Sequence, residues 1–562
     1  MNNWMQNSPS LVHHWSLRLC LWWKGPLSLV AVVSLLFQSQ TLASSATWNL
    51  NPTNNDWNTA ANWTPMTVPE QPSDIATFAK SNTTAIAISS SIVIDSIVFN
   101  ANASSFTISS TPSLVFSVGG AGIINNSGVA QNFVIPNNGI AGATMRFSGS
   151  ATAGNLTSFD NGGGLLQFAA SSSAGNGTFI TNELGETKFQ SNATADHGTF
   201  VTNGSAASGS FGGFMVFIDS STAGNATITI NGGAAPGATE AGMDFVTRST
   251  AANAVITVNG GEVEGADGGR ANFVGGSSAD NATLIVNGGV GDGGAITFFD
   301  NSSGGAARVE VFGSGSVDIS EHNAPGVIVG SLEGDGLVFL GANNLTVGST
   351  NLSTTFSGVM QDGGIGGGTG GSLTKTGTGK LSLTKANTYT GGTILNAGAL
   401  FVKNKTGSAT GTGAVQVNNG TLGGTGKIAG AVTVGTGSSS GAILLAGNSA
   451  KKPGTLTINS ALTFNSLSTY KCVLNRATPK ASKVSALGVT INSGAPFTFV
   501  DVGTGTLAAG TVFTVINNTS ANPIFGTFSN LANGAVFTSN GNNFQASYTG
   551  GTGNDLTLTV VP

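Results

Sequence analysis

Hydrophobic and polar side chains alternate over short segments that recur through the middle of the chain. Two examples are "ATITI" (226–230) and "AVITV" (254–258), and each is closed by Asn-Gly. Alternation over five residues, rich in β-branched side chains, predicts a half-buried strand, and the closing Asn-Gly predicts a tight turn. Helix is disfavoured because Gly and Asn recur too often and no apolar series has a period of 3.6.

One phrase returns every 28 residues in slightly altered form: "STAGNATITINGG" (221–233), "STAANAVITVNGG" (249–261) and "SSADNATLIVNGG" (277–289). A wider series is anchored on phenylalanines spaced by 21, 21, 28, 28, 28 and 25 residues, namely Phe147, Phe168, Phe189, Phe217, Phe245, Phe273 and Phe298. A Ser or Thr follows each Phe five residues later: Thr152, Ser173, Thr194, Thr222, Thr250, Ser278 and Ser303. Nine residues further on, six copies have an Asn: Asn161, Asn182, Asn203, Asn231, Asn259 and Asn287.

This periodicity predicts an all-β fold built as a parallel β-helix. A repeat of 21–28 residues has room for two or three short strands, which is one turn of such a helix. Successive turns would stack about 4.8 Å apart, so equivalent side chains would form ladders. Because one turn cannot bury its own hydrophobic face, the seven phenylalanines are predicted to form an interior column. A propeller is disfavoured because its blades are nearer 40 residues.

The amino-acid composition also favours a folded, β-rich protein over collagen or a disordered chain. The chain has 562 residues, of which 84 are Gly, but no Gly-X-Y period is present, so collagen is excluded. Charged residues make up only 8 % of the chain, whereas disorder usually combines high net charge with low hydrophobicity.

The stretch "GSLTKTGTGKLSLTKANTYTGGTILNAGALFV" (371–402) closely resembles the autotransporter-associated β-strand repeat of exported bacterial passenger regions. The matching positions are Leu373, Lys375, Gly377, Gly379, Leu381, Leu383, Asn387, Tyr389, Gly391, Gly392, Thr393, Gly398 and Leu400. The stretches 418–434 and 446–470 resemble its usual continuation, although "AKK" (450–452) interrupts a turn there, and 47–65 resembles the start of such proteins. The resemblance implies a right-handed β-helix in a Gram-negative envelope or secreted protein, adhesive or structural. One departure is expected, because too few residues follow 475 for a translocator barrel.

The first 46 residues have the order of a secretory signal. Arg18 and Lys24 precede the apolar run "LSLVAVVSLLF" (27–37), and small residues follow in "TLASSA" (41–46). A membrane anchor is the alternative, but spanning takes about 20 apolar residues. Cleavage is therefore predicted near 43–46, with no transmembrane segment in the mature chain. The mature protein is expected to be secreted or associated with the cell surface or outer membrane.

These observations divide the chain into six parts. They are a signal peptide (1–46), an N-terminal cap with the first β-helix turns (47–146), the Phe-anchored repeats (147–362), a flexible Gly-rich linker (363–371), the autotransporter-associated repeat region (372–475) and a C-terminal β segment (476–562). Trp48, Trp57 and Trp63 are predicted to cover the open end of the stack, and a sugar-stacking platform is the alternative for them.

Charge is distributed unevenly along the chain. Residues 47–370 hold 23 acidic and 6 basic groups, a net charge of −17, whereas residues 371–562 hold 2 and 12, a net charge of +10. One explanation is that the two repeat families simply differ in amino-acid composition, with no functional consequence. The alternative is that the basic end docks on an anionic surface or on the acidic end of another copy. Nucleic acid binding is disfavoured because the chain is acidic overall and lacks basic residues interleaved with aromatic ones.

The densest acidic stretch is "NGGEVEGADGGR" (259–270), which contains Glu262, Glu264, Asp267 and Arg270. A glycosidase or polysaccharide lyase would need such carboxylates in a cluster. The equivalent stretches after Asn231 and Asn287 are also acidic and Gly-rich, so loop composition explains this one better.

The remaining candidates for chemistry have structural explanations. "GGTGNDLTL" (550–558) fits a calcium nonapeptide, but one copy with Asp555 supplies too few oxygen ligands, and a terminal turn and strand is preferred. His197 and His322 have no motif around them, and Cys472 has no partner once Cys20 leaves with the signal. We therefore predict no catalytic, cofactor-binding or metal-binding residues and no cofactor.

The predicted function is that of an exported, non-enzymatic, adhesive or structural envelope protein. A polysaccharide-active enzyme on the same scaffold is the alternative. The expected partners are surface glycans, other envelope components or further copies of the chain.

Overall fold

The structure, a computed structural model, describes residues 44–139 and 141–562. These residues form a parallel β-solenoid of about 17 turns, which confirms the predicted fold class. The one helical element in the described part of the chain is a single 3-10 turn, Ala60–Asn62. The predicted signal sequence lies almost wholly outside the described residues, and Ala46 begins the first described strand.

One side of the solenoid is a sheet of 15 strands, here called sheet A. Apart from one antiparallel pair at its start, its neighbours are parallel. In spatial order its strands are Trp63–Thr64, Ala46–Trp48, Ile75–Phe78, Ile92–Phe99, Val115–Asn125, Thr144–Phe147, Leu165–Phe168, Glu186–Phe189, Phe214–Phe217, Gly242–Phe245, Arg270–Phe273, Ala295–Phe298, Ser316–Asp318, Leu337–Phe339 and Val359–Gln361.

A second side, sheet B, runs through almost the whole solenoid with parallel pairing. Its strands are Ala85–Ile88, Thr107–Ser110, Gln131–Pro136, Asn155–Gly162, Asn176–Thr181, Thr199–Thr202, Thr227–Ile230, Val255–Val258, Thr283–Val286, Arg308–Val311, Ser331–Gly334, Thr354–Phe356, Lys380–Leu383, Ala399–Val402, Gly420–Gly424, Ala442–Ser449, Thr469–Asn475 and Phe497–Val502. Two short antiparallel strands, Lys452–Pro453 and Lys480–Ala481, fold back on its last turns.

The third side changes character along the chain. In the Phe-anchored repeats it is a ladder of single-residue bridges that joins the Ser or Thr of each turn to that of the next, from Thr152 to Ser303. Further on it widens into sheet C, whose strands are Gly326–Val329, Asn344–Val347, Ser372–Lys375, Thr393–Leu395, Val415–Val417, Val432–Val434, Leu462–Phe464 and Val489–Ile491.

Sheet D completes the C-terminal turns. Its strands, in spatial order, are Lys427–Ile428, Thr455–Ile458, Lys483–Ala486, Val512–Asn518, Asp555–Val561, Asn542–Gly550 and Val536–Ser539. The first pairings are parallel, and the last three are antiparallel. Parallel coiling therefore continues past residue 475, to the strand Val512–Asn518, before the chain closes as an antiparallel meander.

The repeated phenylalanines lie over one another in the interior, as predicted. Each of the seven is fully buried, and neighbouring ring centroids are 4.7–5.0 Å apart with interplanar angles of 3–9°. Parallel pairing fixes this arrangement because each Phe occupies the same register position of sheet A in successive turns.

A second aromatic column, which the sequence analysis missed, lies on sheet B. Phe133, Phe159, Phe179 and Phe200 stack with centroids 4.5–4.9 Å apart. Their rings meet those of the first column edge to face, as between Phe189 and Phe200. The column continues through aliphatic side chains at the same register, such as Ile228. In most turns the residue 11 positions after the anchoring Phe occupies this second column. This constant offset is the sequence feature from which the column could have been predicted.

The Ser, Thr and Asn positions of the repeat stabilise turns and ladders. Each of the seven Ser or Thr hydroxyls accepts a hydrogen bond from the amide two residues later, as Thr222 does from Gly224. Asn203, Asn231, Asn259 and Asn287 each donate from Nδ2 to the Oδ1 of the Asn one turn before, at 2.8–2.9 Å.

Asn161 stabilises a turn, since its Oδ1 accepts from the amide of Gly164 at 2.8 Å, but it does not join this ladder. A register shift between Asn155 and Ser158 adds one residue to its strand. Asn161 therefore pairs with Thr181 and is buried, and Asn182 donates to Asp160 instead.

The Gly-rich stretch 363–371 is held in place by hydrogen bonds and is not the flexible linker predicted from the sequence. The amide of Ile365 donates to Asp318 Oδ2 at 2.8 Å, and that of Gly371 donates to Asp362 Oδ1 at 3.0 Å. These bonds fix the stretch as a loop against an earlier turn of the same stack.

Candidate functional site

The N-terminal tryptophans are part of the core. Trp48, Trp57 and Trp63 are at most 1 % exposed, and they pack against one another and against Phe78 with centroids 4.9–6.3 Å apart. Their indole nitrogens donate to the carbonyls of Thr83, Pro69 and Trp57 respectively. A ring that is covered on both faces cannot stack on a sugar, so the platform alternative is wrong and the cap is supported.

The acidic stretch 259–270 does not supply a site from its own residues. Arg270 Nη1 contacts Glu240 Oε1 of the preceding turn at 2.9 Å. Burial raises the pKa of the Asp267 carboxyl, and the charges of Glu240 and Asp292 raise it further, against the lowering effect of Arg270. The structure thus brings together carboxylates from three successive turns. Glu240 and Asp292 were missed because only the stacking of the loops places them beside Asp267.

A surface hollow of about 400 Å³ opens beside this cluster. It is lined by Gly212, Gly213 and Gly242 together with Phe211, Phe214, Thr239 and the Glu240–Arg270 pair. A Cβ on Gly242 would lie only 2.9 Å from the Phe214 ring, so a larger residue there would fill the hollow. Phe211 is 68 % exposed and presents its ring to solvent beside charged hydrogen-bonding groups.

Three other residues considered for chemistry occupy structural positions. Asp555 is buried and accepts from the Asn518 amide at 2.9 Å, which fits a terminal turn and strand. His322 has both ring nitrogens against carbonyl oxygens, of Asn323 and Ser302. Burial raises the pKa of the Cys472 thiol, so this thiol is not activated.

His197 is exposed and bonds to its neighbour Asp196, with 2.6 Å between Nδ1 and Oδ1. In residues 44–139 and 141–562, no three or more His, Cys, Asp or Glu side chains group in a way that could hold a metal ion. The same residues include no helix with the length and apolar character required to cross a membrane.

The motif residues in 373–402 point inward. Leu373 of sheet C and Leu381, Leu383 and Leu400 of sheet B are at most 1 % exposed, and Leu381 pairs with Leu400 in the next turn. Tyr389 is fully buried, and its hydroxyl lies 2.6 Å from the hydroxyl of Thr393.

Asn387 closes the end of sheet A. Its Oδ1 accepts from the amide of Met360, which lies in the last strand of that sheet, at 2.7 Å. Its Nδ2 donates to the carbonyl of Ala409 in the next turn. One amide side chain therefore links two turns where sheet A has no further strand, which is why Asn is required at this position.

Lys375 is an inward-facing lysine. It is 1 % exposed and stands in register between Val347 and Leu395 of sheet C. Its ammonium group donates to the carbonyls of Thr376 and Gly377. Burial without a carboxylate partner lowers the pKa of Lys375 to about 8.

Comparison with known proteins identifies this segment. Residues 373–402 match the passenger-associated-transport-repeat family. Those residues are such a repeat. The chain is also 38 % identical over 95 residues to the adhesin BmaC autotransporter of Brucella suis biovar 1 (strain 1330). That match covers 17 % of this chain and 2 % of the relative, so the chain spans only a small part of the relative's length.

A solved structure is similar over a longer range. The crystal structure of the Haemophilus influenzae Hap adhesin covers 88 % of this chain and 64 % of its own, at 10 % identity and a TM-score of 0.29.

The passenger-associated-transport-repeat thus confirms the resemblance inferred from the sequence. Its Leu and Tyr positions fill the core, Asn387 ends a sheet, and Gly377, Gly392 and Gly398 have positive φ at turns. The signature of the repeat therefore specifies the stack.

Proposed function

We propose that this protein is a non-enzymatic surface or secreted module, similar to autotransporter passengers, that acts in adhesion or as a structural part of the cell envelope. The observation that carries the proposal is the continuous solenoid, in which the repeated Phe, Ser/Thr and Asn positions form columns and ladders within the stack. Its loops and outward-facing residues vary from turn to turn. Such an arrangement presents a long surface on a rigid support.

The comparisons support the same proposal. The relative of Brucella suis is an adhesin, and the matched family takes its name from passenger-associated transport. Export to the cell surface or medium is part of the proposal, with the predicted signal at the N-terminus.

For the adhesive contact we propose a surface glycan, bound at the hollow of Phe211, Glu240 and Arg270. Exposed aromatic rings stack on the apolar faces of sugars, and paired charged groups beside a ring provide hydrogen bonds to hydroxyl groups. The exposed Phe211 ring and the Glu240–Arg270 pair at 2.9 Å supply both features in one place.

A glycan array combined with a polysaccharide-degradation screen on the mature chain tests the function. We expect binding without release of reducing or unsaturated ends. Substitutions Phe211→Ala and Gly242→Phe should each weaken binding at least about tenfold, the first by removing the ring and the second by filling the hollow. Turnover of a polysaccharide would overturn the non-enzymatic assignment, and binding that both variants retain would refute the site.

A further inference from the structure

The charge difference between the two halves of the chain has a definite location in the solenoid. Each strand of sheet B is followed by a corner that leads to the next side of the turn, and we call the succession of these corners the sheet B corner. Sheet B is continuous, so this corner forms one longitudinal edge of the stack. Charged side chains of opposite sign occupy its two halves.

The N-terminal half of the sheet B corner is acidic. Its carboxylates, on the last residues of the strands or in the loops after them, are Asp160, Glu183, Glu240, Glu262, Glu264, Asp267, Asp292 and Asp335. Glu183 and Glu262 line one hollow although 79 residues separate them in sequence, because the loops of successive turns stack. The basic Arg270 at this edge is already paired with Glu240.

The C-terminal half of the same corner is basic. Its cations are Lys385, Lys403, Lys405, Lys427, Lys451, Lys452, Lys480 and Lys483. Backbone bonds show that these loops stack, since the amide of Lys403 donates to the Leu383 carbonyl and the amide of Lys427 to Asn404 Oδ1 of the turn before. Of the two acidic residues after position 370, Asp501 lies at this corner but is already paired there with Arg476 at 2.8 Å, and Asp555 is buried.

We infer that the sheet B corner is a self-association surface on which two copies of the chain lie antiparallel. In that orientation the acidic half of each copy faces the basic half of the other. A twofold axis then relates two identical sets of contacts, as in the closed symmetric interfaces that dimers favour. Parallel alignment would place like charges against each other, which disfavours association.

A second copy fits the whole edge, whereas other occupants fit half of it. An anionic polysaccharide would pair with the basic half but would be repelled by the carboxylates of the other half. Because one edge carries both an acidic half and a basic half, the partner that fits the whole edge is another copy of the chain. This inference goes beyond the proposed glycan contact and does not depend on it.

Sedimentation of the mature chain tests the inference at about 50 mM and at about 1 M salt, where the Debye length falls to about 3 Å. We expect dimers at low salt and monomers at high salt. Two triple variants reverse the exposed charges: Lys385→Glu, Lys405→Glu and Lys427→Glu in one, and Glu262→Lys, Glu264→Lys and Asp292→Lys in the other. Each alone should be monomeric, with the dimer Kd raised at least about tenfold.

Mixing the two triple variants provides the decisive control. In an antiparallel heterodimer the reversed positions of one variant face the reversed positions of the other, so an equimolar mixture restores complementarity and should form heterodimers. Restoration also shows that both variants are folded. A wild-type chain that stays monomeric at low salt would overturn the inference, as would a mixture that does not associate. Binding of heparin to the wild type through the lysines, without dimers, would assign the basic half to an anionic polymer instead.

Discussion

The ring of Phe217 lies 4.7 Å from the ring of Phe245, with an angle of 7° between their planes, although 28 residues separate them in the chain. Parallel pairing of Phe214–Phe217 with Gly242–Phe245 makes them neighbours. The same relationship repeats along seven turns, and it is the basis of the stability of the central region.

Removal of one ring from this column should be costly. Phe217→Ala leaves a cavity between two stacked rings, and truncation of a buried Phe destabilises by about 3–5 kcal/mol. Urea unfolding followed by circular dichroism measures the loss. Phe211→Ala is the matched control, because Phe211 is 68 % exposed and its loss should change the unfolding free energy by less than about 0.5 kcal/mol. Equal effects for the two variants would show that the column does not support the fold.

Interruption of the Asn ladder should have a smaller effect. In Asn231→Ala, Asn203 Oδ1 loses its donor and Asn259 Nδ2 loses its acceptor. Two hydrogen bonds at about 0.5–1.5 kcal/mol each give an expected loss of about 1–3 kcal/mol. Asn253→Ala is the control, because its ladder bonds are exposed and measure 3.3 and 3.4 Å. A loss for Asn253→Ala as large as that for Asn231→Ala would contradict the assignment.

Relief of backbone strain at Thr247 should stabilise the protein. Thr247 has φ = +68°, a conformation that β-branched residues rarely adopt and that Asn tolerates better. We expect Thr247→Asn to raise the unfolding free energy by about 1 kcal/mol. Gly275 occupies the same position one turn later with φ = +70°, and a Cβ there would meet nothing closer than 3.6 Å. Gly275→Thr should therefore destabilise through the backbone alone, and thermal melts of both variants check the two signs.

Stability should rise with pH through the titration of Lys375. Its pKa is about 8 in the folded chain, against 10.5 for a lysine side chain in water, so the folded protein releases the proton first as pH rises. Unfolding then takes up a proton, and stability increases between pH 8 and about 10.5 by up to about 3 kcal/mol. The difference between wild type and Lys375→Met isolates this effect from the buried tyrosines, which destabilise above pH 10. A difference that is flat across this range would refute it.

Much of the fold was predictable because the stack repeats its own constraints. The Phe spacing indicated the interior column, and the Ser/Thr and Asn-Gly positions indicated turns, since each residue type has a distinct physical role at a fixed offset. The second aromatic column was less visible because it passes from Phe200 to Ile228 and later aliphatic residues. The absence of Asn161 from the Asn ladder was not predictable, because an extra residue in its strand shifts the pairing register while the sequence spacing from Phe147 to Asn161 stays the same as in the other turns.

The candidate site was much harder to predict from the sequence. Glu240, Asp267 and Asp292 belong to three different loops, and no motif links them. The hollow beside Phe211 depends on the missing side chain at Gly242, one turn further on. Proximity across turns is a property of the coil, so one contiguous stretch of sequence shows only Glu262, Glu264, Asp267 and Arg270.

Sheets A and C overlap in sequence, because Gly326–Val329 and Asn344–Val347 of sheet C alternate with Leu337–Phe339 and Val359–Gln361 of sheet A. Sheet B continues past both. Under a pulling force along the axis, the region where sheet A ends and sheet C begins is therefore not expected to be a weak point at which the solenoid breaks. Under tension the turns at the ends are expected to unfold first. A molecule attached at one end would therefore lose its surface contacts turn by turn instead of unfolding at its middle.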